Sequence, residues 1–150
     1  MLEATLSMIS TGTKDTMSQT DQSDATVLSI GLHPSEVDYS NYPQLDEATL
    51  TARIDAGEAA LRAAGFDLVA CRLPSDPDAA EEALRTRLEG RTFRVAMIGA
   101  GVRMAAEHTL LFERLVNLLI EQAPGIRLCF NTSPETTIDA LRRWVAPIEN

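Results

Sequence analysis

Aromatic side chains make up only 5% of this 150-residue chain, and it has just two cysteines. Cys71 and Cys129 sit inside apolar runs, with no CxxC pair and no Cys-His cluster at metal-ligand spacing. Free, buried thiols in a reducing compartment are therefore expected in preference to a disulfide or a metal site. Basic residues are also short, 13 Lys and Arg against 22 Asp and Glu, for a net charge of -9. That balance argues against nucleic acid or an anionic membrane as partner. No apolar run approaches the roughly 18 residues of a membrane span, and MLEATLSMIS lacks the basic and apolar regions of a secretory signal, so a cytoplasmic location is expected. Neither a nucleophile elbow, G-x-S-x-G, nor a P-loop occurs.

What is present is an ordinary globular composition, 45% hydrophobic. A chain of this length can bury about 70% of its unfolded surface without a staple. Residues 1–25 are rich in Ser, Thr, Asp and Gln and lack apolar periodicity. They cannot offset their ordering entropy, and a disordered tail is expected there, with a single domain over 26–150.

From residue 26 the pattern is regular. Thr26 to Leu32 reads as a first strand and Phe66 to Leu73 as a second. Phe93 to Ile98 and Ile126 to Phe130 supply a third and fourth. Helices are expected after the Asp46 cap through Ala64, from Asp76-Pro77 to Gly90, from about Ala105 to Gln122, and after the Ser133 cap. Strand and helix alternating four times imply parallel strands joined by right-handed crossovers. The expected fold is a three-layer αβα sandwich, flavodoxin-like, with strand order 2-1-3-4; a contiguous order would leave one face bare.

In such a sheet a ligand sits at the carboxyl ends of the strands where the winding reverses, between strands one and three. Two connections flank that crevice. The loop HPSEVDYSNYPQLD has 14 residues, against about two to six for a usual connection, and carries His33, Asp38 and Tyr39. The other is IGAGVRM. Gly99 and Gly101 match two positions of a dinucleotide fingerprint, but Met104 replaces the third glycine, and Asn131 stands where an acid for a ribose is wanted. A full dinucleotide site is disfavoured. A weaker version survives: two glycines, a helix N-terminus and the Arg103 guanidinium suit a small anion or mononucleotide.

On a helix of about 100° per residue, His108 shares the side of Leu111, Leu115 and Leu119 and would lie under the crevice mouth. It is a candidate base or ligand donor. Asn131 and Thr132, ending strand four, are candidates for orienting a ligand. The apolar arc from Leu111 through Ile120 covers about 200°, twice that of an ordinary surface helix, which points to a homodimer or to a well-covered helix.

IGAGVR, LFERLVN and CFNTSPE together resemble a group of small bacterial flavodoxin-like or Rossmann-like proteins of unassigned activity, over residues 26 to 146. The resemblance implies the same fold and lends no catalytic residue. The leading expectation is a binder of a small anionic ligand, held by Gly99, Gly101 and Arg103, closed over by His33, Asp38 and Tyr39 and oriented by Asn131 and Thr132. No cofactor is assigned. One alternative is a small hydrolase or isomerase using His108 or His33 with Asp38. Another is an interaction protein acting through the apolar surface of helix 105–122.

Overall fold

The computed structural model describes residues 26–145; the tail expected over 1–25 lies outside the described residues. Strands β1 (Thr26–Leu32), β2 (Asp67–Leu73), β3 (Val95–Ile98) and β4 (Arg127–Phe130) form one parallel sheet in the order β2-β1-β3-β4. Helices α1 (Glu47–Ala63), α2 (Pro77–Leu88), α3 (Ala100–Arg103), α4 (Thr109–Gln122) and α5 (Thr137–Arg142) complete a three-layer αβα arrangement. None of these helices is long and apolar enough to cross a membrane.

The pleat sorts the strand residues onto two faces. Leu28, Ile30, Leu32, Cys71, Leu73, Ala96 and Ile98 point to the side covered by α2 and α4, where they meet Ala80, Leu84, Leu111, Leu115 and Leu119. Val27, Leu68, Val95, Met97 and Cys129 point the other way and meet Leu61 of α1 and Leu141 of α5. The chain leaves β1 in one direction to reach β2 and returns in the other to reach β3, so right-handed crossovers place α1 and α2 on opposite faces. That reversal opens the crevice between β1 and β3.

Local signals fix the helix ends. Asp46 Oδ1 accepts from the Thr49 N–H at 2.7 Å, and Asp76 Oδ2 from the Ala79 N–H at 2.9 Å. Gly65, Gly90 and Gly125 take φ of 102°, 67° and 88° beyond the helix ends, where a side chain would be strained.

The helix expected from Ala105 starts differently. The chain turns helical at once as α3, breaks at Met104–Ala105, makes a 3-10 turn over Ala106–His108 and enters α4 at Thr109. Ala105 is extended, φ -95° and ψ 120°. One turn containing Gly101 has little helical propensity to continue, and the buried Val102 anchors it against the sheet. The broad apolar arc of α4 is met within the chain. Leu111, Leu115, Leu118 and Leu119 are buried, Phe112 and Val116 partly so. Helix α2 packs alongside, and Arg114 of α4 pairs with Asp78 at 2.7 Å and with Glu81. Only Leu110 and Ile120 of α4 stay largely exposed as apolar side chains, so intramolecular cover accounts for most of the arc.

Candidate functional site

A cleft of about 150 Å³ opens at the carboxyl ends of β1 and β3, on the α1 side of the sheet. Its floor is made by Ser29 and Gly31 of β1, Met97 of β3 and Gly99 just beyond. Leu50, Ile54, Gly57, Glu58 and Leu61 of α1 form one wall; Asn131, Ser133, Pro134 and Thr137 form the other.

The cavity follows from residue size. Ser29 and Gly31 occupy the same pleat face as Val27, and their small size leaves room beside Met97. A Cβ added at Gly31 or Gly101 would meet nothing within 4 Å. Neither these glycines nor Gly57 and Gly99 have positive φ. Their small size, not conformational freedom, shapes the site, which corrects the role expected for Gly99 and Gly101. At Gly57 a Cβ would stand 3.5 Å from the Pro134 carbonyl, in ordinary van der Waals contact, and would take up part of the cleft wall.

Asn131 is 6% exposed and bonded at both amide atoms. Its Oδ1 accepts from the Ala100 N–H at 2.9 Å, and its Nδ2 donates to Thr137 Oγ1 at 2.8 Å. It brackets the start of α3 to the start of α5, which commits one bond at each amide atom to the fold. Thr132 turns outward, where its hydroxyl lies 3.1 Å from that of Thr136.

Arg103 leaves the cleft altogether. It crosses to the α4 side, stacks 5.7 Å from the Phe130 ring centroid and donates from Nη2 to the Asn131 carbonyl at 2.9 Å. Its buried Nε has no acceptor among the described residues, and no carboxylate pairs with it there. The expected anion cradle therefore lacks its cation, and the first amide of α3 is already spent on Asn131.

The long loop after β1 folds into two 3-10 turns. His33 caps the first, accepting the Ser35 N–H at Nδ1 over 3.1 Å. Asp38 caps the second; bonds from the Ser40 hydroxyl at 2.6 Å and the Ser40 N–H at 3.1 Å hold its carboxyl below the ordinary range. Tyr39 donates to the Pro34 carbonyl at 2.6 Å, and burial, with Glu47 and Asp46 nearby, raises its pKa. None of these polar side chains lines the cleft; the loop contributes Val37 instead. Glu36 ties the loop down by accepting the Ser75 N–H at 2.7 Å. His108 lies in the 3-10 turn before α4 and does not line the cleft, and among the described residues no carboxylate is bonded to either histidine. Among the described residues no hydrogen bond joins a histidine to Asp38, the pairing the hydrolase alternative calls for.

The ionic group of the site is one the sequence reading passed over. Arg72 of β2, in register with Gly31, donates from Nη2 to Asp55 at 2.6 Å and to Glu58 at 3.1 Å. The bond to Asp55, then the charge of Glu58, outweigh burial and raise the guanidinium further above its ordinary pKa. The available signal was alternation. In DLVACRL, Arg72 shares the helix-covered face of Leu68, and a charged residue there needs partners, which α1 supplies.

Among the described residues no three His, Cys, Asp or Glu side chains converge as a metal ion would require. Cys71 and Cys129 are free and buried on opposite faces, and burial pushes both thiols up to about 11. No protein-family model and no curated protein matches the chain.

Proposed function

We propose that this protein binds a compact, largely apolar small molecule in the cleft over β1 and β3. The observation that carries the proposal is the set of small residues, Ser29, Gly31, Gly57 and Gly99, that keeps space open at the switch point of the sheet. Cores of this kind are normally filled to crystal-like density, and a void at the ligand-binding end of a doubly wound sheet is where recognition is expected. The volume suits a ligand of about the size of a substituted benzene ring, since cavities near 150 Å³ accept benzene. The geometry favours a neutral or cationic ligand over the anion expected from sequence. Arg72 is already held by two carboxylates, Arg103 faces elsewhere, and α3 and α5 are too short to present a strong dipole.

The test is a fragment screen by amide NMR of the wild-type protein and of Gly31→Val. Valine is unstrained at this strand position and fills open space. Binding shifts centred on Gly31, Gly57 and Gly101 that vanish in the variant are expected. Shifts centred elsewhere, or unchanged by Gly31→Val, would overturn the proposal.

A further inference from the structure

We propose, on the premise that the cleft is a ligand site, that its preferred ligands are small organic cations: a protonated amine carried on a compact apolar body. Two charged side chains line the cleft, Glu58 and Arg72, with side-chain exposures of 13% and 27%. Asp55 reaches Arg72 from the outer side of α1. Two carboxylates against one guanidinium leave this group with one negative charge. Glu58 bonds Arg72 through Oε1, and its Oε2 has no donor among the described residues. A ligand ammonium at Oε2 brings the group to neutrality, whereas a carboxylate there adds repulsion in a partly desolvated place.

Among the described residues no other cation bonds Glu58. On α1, Arg53 is paired with Glu135 and Arg62 donates to the Leu68 carbonyl. Arg103 stacks on Phe130. The remaining walls are apolar or carry neutral hydroxyls, and they suit the body of the ligand and not its charged head. A charge-assisted bond at one end of an apolar slot gives both affinity and orientation.

The experiment compares three probes of nearly equal shape on the full chain by NMR titration: benzylamine, benzyl alcohol and benzoate. Benzylamine should bind about tenfold tighter than benzyl alcohol, with benzoate the weakest, as one charge-assisted hydrogen bond implies. Glu58→Gln, in which Arg72 keeps Asp55, should bring the amine down to the alcohol while the alcohol changes by less than about twofold. In the wild type the preference for the amine should shrink as salt is raised. Equal binding of amine and alcohol, or a preference that survives Glu58→Gln, overturns the inference about charge and leaves the cleft as a binding site. Failure of all three probes to bind overturns both.

Discussion

Replacing Asn131 by alanine should cost this domain about 2–4 kcal/mol, far more than the loss of a surface amide. The side chain is 6% exposed and joins three separate elements. Truncation removes the acceptor of the Ala100 N–H, at 2.9 Å, and the donor to Thr137 Oγ1, at 2.8 Å. Each neutral hydrogen bond is worth about 1 kcal/mol net, and a buried group left without a partner costs about 1–3 kcal/mol. Thr137 is 5% exposed and has little access to water, whereas Ala100 is half-buried and can recruit some, which sets the upper bound. Chemical denaturation followed by circular dichroism gives the free energy, expected with an unchanged m-value. The melting temperature should fall by about 10 °C in a domain of this size. Amide exchange adds a local readout: the Ala100 N–H should be protected in the wild type and lose that protection in the variant, while β1 amides keep theirs. A loss below about 1 kcal/mol, or an Ala100 amide that exchanges freely in the wild type, would refute the bracketing role.

Gly125 at φ 88° should resist substitution, and Gly125→Ala is expected to cost about 1–2 kcal/mol by the same denaturation assay; a neutral result would mean the turn does not need that conformation. The Asp38 carboxyl is lowered in the folded state by Ser40, so its contribution to the loop is present at neutral pH and disappears as pH falls through the folded titration. An NMR titration of its carboxyl carbon should show a midpoint below the ordinary 3.8, and a midpoint above that value contradicts the assignment. Cys71 and Cys129, with thiols pushed up to about 11, should resist alkylation at pH 8 in the folded protein and react fully in denaturant. Breaking the exposed Arg53–Glu135 pair, with side-chain exposures of 40% and 58%, should change stability by less than about 0.5 kcal/mol in a double-mutant cycle.

The architecture was legible because each strand is a short, mostly apolar run with Pro, Gly or Asn at or just beyond its end, and because alternating helices allow few topologies. The order β2-β1-β3-β4 followed from the need to cover both faces. The position of the crevice followed in turn. The side chains within it were less accessible to sequence reasoning. Arg103 sits beside the glycines in sequence, yet one helical turn carries it through to Phe130 on the opposite face. The break at Met104–Ala105 has a faint signal, since alanines flank it and favour continuing the helix. His33 and Asp38 had the composition of a site, but short polar side chains at turn starts commonly bond their own backbone, as both do here. Arg72 and Glu58 come from successive elements 14 residues apart, but only the register of β2 against β1 sets Arg72 beside Gly31.

The most direct test of the cleft is to locate a bound probe by intermolecular nuclear Overhauser effects, using benzyl alcohol and the wild-type protein. Contacts from the ring to the Gly31 and Gly57 α-protons and to the Leu50 and Ile54 methyls are the predicted result. Contacts to the exposed Met104, Leu110 or Ile120 side chains instead would contradict the account and place recognition on the outer surface of α3 and α4.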